Sequence, residues 1–278
     1  MQPRTHAQSR TVTRREIAGL ALSESVYPAR LRQARHAHEP ASFSLVLGGG
    51  YRETVGPKTF DCRPATVVFR PPSEPHAVSF DAAPVRIFRI DVGAAWLERL
   101  GTLAPHAPSP NASAAGGVQS ALALRLYREF RAADEFSPLA VEGLALELWA
   151  GAARETSALS ASAAAPPRWL ESARELLGER LSDPPTLLEV SATVGVHPSH
   201  LAHEFRRFYR TTAGGYLRRL RVERAARLLA QTDAPLSEVA SASGFYDQSH
   251  FSNAFKRSTG ATPSEYRAAF RAPQSRPK

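Results

Sequence analysis

The chain has 278 residues, of which 43% are hydrophobic and 22% charged, a composition that suits two globular domains better than one. Its single cysteine, Cys62, excludes an internal disulfide and a cysteine-rich zinc site. The formal net charge is +9, and residues 168–278 hold 17 Lys and Arg against 11 Asp and Glu, which favours a polyanionic partner for the C-terminal third.

The sequence predicts no membrane segment. The longest apolar runs fall far below the roughly 18 residues that a span needs, and no apolar stretch follows the arginines near the N-terminus. We therefore expect a cytoplasmic protein without a membrane partner. A single cysteine agrees with a reducing compartment.

Residues from about 15 to 92 contain short runs rich in β-branched and aromatic residues. The clearest runs are 43–47, 65–69 and 85–90, and turns such as Gly48-Gly49-Gly50 separate them. Short strands between glycine and proline turns are typical of a small sandwich or barrel. We therefore predict a small β-sandwich or β-barrel for this part of the chain.

Residues 117–154 change to a helical pattern, because leucines and aromatic residues recur every three or four positions. The break at Ser137-Pro138 predicts two helices that form a hairpin. This hairpin either packs on the barrel or provides the face of a homodimer, and the leucine spacing is compatible with both.

Alanine, serine and two prolines make up most of the segment 156–167, which predicts a linker. The linker divides the chain into an N-terminal domain (1–155) and a helical domain (168–271), and residues 272–278 form a tail. The predicted fold is therefore α+β: a β-sandwich or β-barrel with a helical hairpin, followed by an all-α domain.

The helical domain contains an internal repeat. Residues after the turn of the first copy match residues 50 positions later in the second copy, whereas residues before the turn match residues 49 positions later. The turns of the two copies therefore differ in length by one residue. The matched pairs are Leu201 with Phe251, Phe205 with Phe255, Tyr216 with Tyr266, Val190 with Val239, and Gly195 with Gly244. A duplicated supersecondary unit explains both offsets.

Each copy predicts a short helix, a glycine turn and a longer helix. In the first copy, residues 187–194 form the short helix, Gly195 allows a left-handed turn, and Pro198 suits the first position of the next helix. In the second copy, Gly244 makes the turn and Asp247 caps the following helix. This arrangement is the helix-turn-helix, whose second helix can enter the major groove of DNA.

A helical run at 216–231 joins the two copies. About 16 residues at 1.5 Å each span roughly 24 Å. With the flanking half-domains added, this helix can hold two recognition helices about one DNA turn, or about 34 Å, apart. We therefore expect them to reach successive major grooves on one face of the duplex.

The segment 169–266 is similar to the DNA-binding domain of the AraC/XylS family of bacterial regulators. The second copy carries most of the likeness, in Val239-Ala240, Ser243-Gly244-Phe245, Gln248–Lys256 and Gly260–Arg267. The resemblance implies a transcription regulator that binds double-stranded DNA in a sequence-specific way, with activation favoured. It also implies RNA polymerase as a partner and neither enzymatic activity nor a cofactor.

The resemblance further implies that the exposed N-terminal part of each second helix contacts DNA. Glutamine and asparagine side chains pair with adenine, while arginine and lysine suit the phosphates. For each polar side chain the alternative is helix capping or simple solvation. The candidates are Ser199, His200, Ala202, His203, Arg206 and Arg207 in the first copy, and Gln248, Ser249, His250, Ser252, Asn253 and Lys256 in the second.

The first copy departs from the family pattern at two positions. His197 stands where the family favours Ser or Thr as the helix cap, and Arg210 stands where it usually has Gly. The candidate set of this copy also has fewer side chains that can make two hydrogen bonds to one base. We therefore expect the second copy to read DNA better than the first.

The N-terminal half is similar to the two motifs of cupin barrels, in degenerate form. His36-Ala37-His38 precedes a strand, and Phe69–Pro72 precedes Pro75-His76. In metal-binding cupins such a histidine pair, a glutamate and a later histidine hold the ion. Here Ser42-Phe43-Ser44 occupy the region of the glutamate, so no metal is expected.

The cupin resemblance then implies a small-molecule effector. The candidate effector-binding residues are His36, His38, His76 and Arg86. Arg86 and Arg89 are suited to bind an anionic effector, but they are equally compatible with an ordinary polar strand face.

The alternative function is a metal-dependent cupin enzyme with a DNA-binding tail, against which the missing glutamate argues. A DNA-repair methyl acceptor needs several cysteines and is excluded, because this chain has one.

Overall fold

The computed structural model describes residues 9–103, 108–113, 117–161, 166–209 and 211–271. The strands of its N-terminal part are β1 (Arg10–Ile17), β2 (Leu20–Tyr27), β3 (Arg32–His36), β4 (Ala41–Gly48), β5 (Tyr51–Val55), β6 (Lys58–Cys62), β7 (Val67–Arg70), β8 (His76–Phe80), β9 (Val85–Val92) and β10 (Asn111–Ser113). They form two antiparallel sheets, ordered β1-β2-β9-β4-β7-β10 and β3-β8-β5-β6.

Strand β4 lies inside the first sheet and is buried on both faces. Val46 packs with residues of the second sheet in a small core between the two sheets. Phe43 and Leu45 point the other way, into a larger core beneath the helices, because side chains alternate along a strand. The N-terminal half, for which the resemblance implies a cupin-like barrel, is rich in sheet, and the predicted α+β fold class is confirmed.

Three helices cover the outer face of the first sheet, namely α1 (Ala94–Leu103), α2 (Val118–Ala132) and α3 (Ser137–Ala161). The ring of Trp149 in α3 packs edge-on against Phe43 and Phe69, with centroid distances of 6.3 and 5.6 Å. Helices α2 and α3 form the predicted hairpin. The Asp134 carboxylate accepts the N–H of Ser137 at 2.9 Å and so starts α3 at the predicted break.

The segment 156–167, which the sequence predicts as a linker, is helical at its N-terminal side. Helix α3 continues to Ala161, well into that segment. Residues 156–161 hold two alanines and a leucine, all strong helix formers, beside two serines and a threonine, which a helix tolerates. Residues 162–165 lie outside the described residues, and the next described helix begins at Arg168.

The C-terminal helices among the described residues are α4 (Arg168–Glu179), α5 (Leu187–Val194), α6 (Pro198–Tyr209), α7 (Ala213–Gln231), α8 (Leu236–Ala242), α9 (Gln248–Thr259) and α10 (Pro263–Arg271). Helices α5 and α6 form the first helix-turn-helix unit, and α8 and α9 form the second. Gly195 and Gly244 make the turns with φ of 72° and 82°, the left-handed region that the sequence predicts for them. No described helix combines the length and apolar character needed to cross a membrane.

Helix α7 begins three residues earlier than the predicted start at Tyr216. The hydroxyl of Thr212 accepts the N–H of Gly215 at 3.0 Å and caps the helix, which compensates for two glycines in its first turn. Its 19 residues span about 28 Å at 1.5 Å each.

The two helix-turn-helix units belong to different hydrophobic cores. The first unit packs with α4 around Leu170, Val190 and Phe205. The second unit, through Phe251 and Phe255 among others, shares one continuous core with the first sheet and the α2–α3 hairpin. Helix α9 contacts α2, and α10 contacts β4. The second unit is therefore docked on the N-terminal domain.

Candidate functional site

The exposed sides of α6 and α9 form two matching surfaces, which we call the reading faces. Residues at the same place in the two copies differ by 50 in number. In α6, Ser199, His200, His203, Arg206 and Arg207 are exposed and Ala202 is half-buried, whereas in α9 Gln248, Ser249, His250, Asn253 and Lys256 are exposed and Ser252 is half-buried. The structure thus presents the predicted residues on the solvent side of both helices.

Helix α9 is oriented by its cap and by two buried rings. The Asp247 carboxylate accepts the N–H of His250 at 2.6 Å, as the sequence predicts for this residue. Phe251 and Phe255 are fully buried in the core. Asn253 is then held outward, where it borders the same shallow depression as Lys256 and Arg257. An amide, a group able to hydrogen-bond with base edges, and two cations therefore lie together on this reading face.

Helix α6 is capped in a different way. The Nδ1 atom of His197 accepts the N–H of Ser199 at 3.3 Å, so the residue that departs from the family pattern still contributes a side-chain cap. Arg207 donates to the carboxylate of Glu204 at 3.1 Å, which partly neutralises it. Arg210 lies outside the described residues. The pair of Arg207 and Glu204 leaves the first reading face with less free positive charge than its arginines suggest.

Two of the predicted contact residues also pack against rings of their own unit. His200 lies over Trp169 with a centroid distance of 5.3 Å, and His250 meets Phe245 edge-on at 5.6 Å. Both imidazoles sit beside the reading face and remain exposed. Tyr246, which the sequence reasoning missed, precedes the cap of α9 and is 95% exposed.

A second candidate site lies inside the barrel, where His36, His38 and His76 come together. His36 at the end of β3 faces His76 at the start of β8 across the antiparallel pair. The ring centroids of the three histidines are 4.4, 5.0 and 5.4 Å apart. Side chains from both sheets line this cleft, Gln33, Ser44 and Arg89 among them.

The surroundings keep two of these imidazoles uncharged at neutral pH. Burial, reinforced by the positive charge of Arg89, lowers the pKa of His38 to about 3. Burial and the positive charge of Arg70 lower the pKa of His76 to about 4. The Nδ1 atoms of His36 and His76 lie 2.8 and 3.0 Å from the backbone carbonyl oxygens of residues 34 and 74.

A buried ion pair borders the cleft. The Arg70 guanidinium donates to both carboxylate oxygens of Glu53, and it also donates to the hydroxyls of Ser44 at 2.8 Å and Tyr51 at 3.3 Å. Glu53 is fully buried, so the guanidinium compensates a charge that has no access to water.

Arg86 is not part of this cleft. It donates to the Glu24 carboxylate at 2.9 Å and lies 3.4 Å from the Tyr127 hydroxyl, on the side of the sheet that faces α2. Arg89 takes the place beside the histidines instead, because residues 86 and 89 have opposite parity along β9 and point to opposite faces.

Two capped helix-turn-helix units and a barrel with an internal cleft define the class of protein. It combines a helix-turn-helix domain with a β-barrel domain. A family model described as a helix-turn-helix domain matches residues 190–269, and one described as the AraC-like ligand binding domain matches residues 18–149. The chain belongs to the AraC family, as its sequence resemblance indicates.

Several relatives are similar to part of the chain. The uncharacterized HTH-type transcriptional regulator YijO of Escherichia coli (strain K12) is 33% identical over 100 residues, which are 36% of this chain and 35% of that protein. The arabinose operon regulatory protein of the same strain is 38% identical over 82 residues, 30% of this chain and 28% of that protein. The chain thus spans about a third of the length of these curated relatives.

Among solved structures, an AraC-type transcriptional regulator from Chromobacterium violaceum is 29% identical, with a TM-score of 0.36. The match covers 38% of this chain and 95% of that one.

Proposed function

We propose that this protein is a sequence-specific regulator of transcription that binds double-stranded DNA through α6 and α9 and responds to a small molecule bound in the barrel. The observation that carries the proposal is the equivalence of the two reading faces: both are exposed, both follow a capped helix start, and α7 joins them. A span of about 28 Å for α7, with the flanking units added, suits successive major grooves about 34 Å apart.

The basic C-terminal domain supports the same proposal. Its surplus of Lys and Arg favours binding to phosphates, and the exposed amides of Gln248 and Asn253 supply donors and acceptors for base edges. We include RNA polymerase as the second macromolecular partner, with activation as the outcome, and the cytoplasm as the compartment. We propose regulation and not catalysis, because the named relatives are transcription regulators.

The hairpin supports a homodimer as part of the proposal. At the start of α3, Phe136 and Leu139 are 70% and 77% exposed, an unusual position for two large apolar side chains. Sedimentation velocity is expected to show a dimer for the full chain and a monomer for Phe136→Ser/Leu139→Ser. A wild-type chain that sediments as a monomer at micromolar concentration would contradict this part.

The test of DNA reading begins with selection of bound fragments from a genomic library by the purified full chain. Fluorescence anisotropy on the selected site then compares Gln248→Ala and Asn253→Ala with Lys256→Ala. Each amide variant is expected to lose about 1–3 kcal/mol of discrimination between the selected site and a one-base variant. Lys256→Ala is expected to weaken binding to all sequences and to reduce the salt dependence.

Matched controls come from exposed residues outside the reading faces, Gln231→Ala for the amides and Lys58→Ala for the lysine. If Gln248→Ala and Asn253→Ala both keep full discrimination, the assignment of the reading face on α9 is wrong. Transcription in vitro from the selected site, with and without the protein, decides activation: a fall in transcript would show repression.

A further inference from the structure

Three imidazoles converge in the barrel cleft with the geometry of a ligand set. One ring nitrogen from each of His36, His38 and His76 lies within 4.8 Å of the other two. The cross-strand pairing of β3 with β8 fixes two of these side chains opposite each other, and the third follows two residues later. The pairing of two strands therefore fixes the positions of two of the three histidines.

In His36 and His76, a hydrogen bond to a backbone carbonyl determines which ring nitrogen can bind a metal. The Nδ1 atoms of His36 and His76 lie within hydrogen-bond distance of carbonyl oxygens, which accept only, so Nδ1 carries the proton and donates. The lone pair of each ring is then on Nε2. A histidine that donates one ring N–H to a carbonyl and offers the other nitrogen is the usual arrangement of a metal ligand.

The carboxylates of Glu53 and Asp91, near the cleft, are already paired with arginines and do not serve as ligands of a cation bound by the histidines. Glu53 is held by Arg70, and Asp91 accepts from Arg89 at 2.6 Å. An imidazole that binds a metal through its lone pair is uncharged, so three such ligands add no charge. An ion in their midst keeps its full positive charge and at least one open position, next to a guanidinium that lines the same cleft.

We propose that His36, His38 and His76 bind one divalent first-row transition-metal ion whose open position takes a small anionic effector, such as a carboxylate. Three nitrogens suit Zn²⁺, Co²⁺ or Ni²⁺. Metal–nitrogen bonds of about 2.0–2.1 Å place tetrahedral ligands about 3.3 Å apart, so the nitrogens approach by about 1.5 Å at most. His36 and His38 are only half-buried and have room for this movement.

This proposal departs from the expectation of no metal, which relied on the missing glutamate. Its metal part stands independently of regulation, whereas its effector part rests on the proposed function. The competing explanation is a cluster of uncharged rings that pack together and bind metal no better than other histidines.

Cobalt binding tests the metal part. The full chain is stripped with a chelator, titrated with Co²⁺ and followed by visible absorption and by metal analysis after gel filtration. We expect one Co²⁺ per chain with d–d bands of a four-coordinate site. His38→Ala and His76→Ala should each weaken binding at least 100-fold, while His197→Ala, an exposed histidine outside the barrel, should leave it unchanged.

Circular dichroism and thermal melting establish that each variant is folded. If His76→Ala does not fold, His36→Gln serves in its place, because that side chain is half-buried and solvent can fill its position. Binding weaker than millimolar in the wild-type chain, or binding that none of the barrel variants changes, would overturn the metal part.

Oxalate on the Co²⁺-loaded chain tests the effector part. We expect oxalate to shift the d–d bands, to bind at least tenfold more weakly in Arg89→Gln, and to change affinity for the selected DNA site. If Co²⁺ binds but oxalate changes neither the spectrum nor the DNA affinity, the anionic effector is wrong and DNA binding stands. Loss of specific DNA binding in every form would instead contradict the proposed function.

Discussion

The hydroxyl of Ser120 in α2 lies 3.4 Å from the hydroxyl of Tyr266 in α10, although 146 positions separate the two residues. Ser120 donates its own hydrogen to the carbonyl of Ala65 at 2.7 Å, so Tyr266 is the donor of the pair. One serine thus links the turn that precedes β7, the hairpin and α10, the helix that follows the second helix-turn-helix unit.

A double-mutant cycle measures this tie. We expect Ser120→Ala and Tyr266→Phe to lower the free energy of unfolding non-additively, with a coupling of about 0.5–1.5 kcal/mol, because each removes one side of the same hydrogen bond. Guanidinium unfolding followed by circular dichroism supplies the four values. Additivity within about 0.3 kcal/mol would show that the contact does not couple the two domains.

For the buried pair of Glu53 and Arg70, we predict that removing one partner lowers the free energy of unfolding more than replacing both. Arg70→Met leaves the Glu53 carboxylate buried without its counter-charge and is expected to lower the free energy of unfolding by about 3–5 kcal/mol. Arg70→Met combined with Glu53→Gln should recover most of this loss. Arg63→Met, which breaks the solvent-accessible pairs with Asp61 and Asp81, is the control and should cost about 1 kcal/mol or less for each pair. A double variant as unstable as Arg70→Met would contradict the expectation.

The cap of α9 predicts a link between stability and DNA binding. Asp247→Ala is expected to lower the free energy of unfolding by about 0.5–2 kcal/mol and to speed hydrogen exchange at the amide of His250, while Asp247→Asn retains most of the cap. The effect should extend to weaker binding of the selected DNA, since the reading face begins in this turn. Asp183→Ala, at another exposed aspartate, is the control. Unchanged exchange at His250 in Asp247→Ala would refute the link.

The thiol of Cys62 predicts a dependence of stability on alkaline pH. Burial, together with the negative charge of Glu53, raises the pKa of this thiol from about 9 to about 12. The unfolded chain therefore loses the proton first, and the contribution to stability is complete below pH 9 and lost as pH rises towards 12. Its slope is at most about 1.4 kcal/mol per pH unit.

Urea unfolding of the wild type and of Cys62→Ala at pH 8, 9, 10 and 11 checks this expectation. The difference in the free energy of unfolding between the two chains should shrink steadily above pH 9. A constant difference over the whole range would mean that the thiol titrates alike in the folded and unfolded chains.

Much of the helix-turn-helix region could be predicted because its signals are local. The bounds of α5, the left-handed Gly195, the start of α6 at Pro198 and the cap at Asp247 each follow from neighbouring residues. The missed features depend on distant parts of the chain. No sequence pattern pairs Ser120 with Tyr266, and none shows that the second unit shares a core with the barrel.

The barrel cleft was predicted in part. The motif likeness singled out His36, His38 and His76, and the structure brings them together. It also named Arg86, which the structure places on the opposite side of the sheet. Since β9 is buried on both faces, its sequence shows no polar side, and the choice between Arg86 and Arg89 needs the tertiary structure.

Helix α7 belongs to both hydrophobic cores. Tyr216 near its start packs with the first unit, and Val222, Ala225 and Leu229 pack with the second unit and the barrel. Adding one residue between these contacts would lengthen the helix by only 1.5 Å but turn one reading face by about 100° against the other. Under the proposed function, the length of this one helix therefore sets the spacing and phase of the two half-sites in DNA, and only an insertion of about a full helical turn keeps the two reading faces in phase.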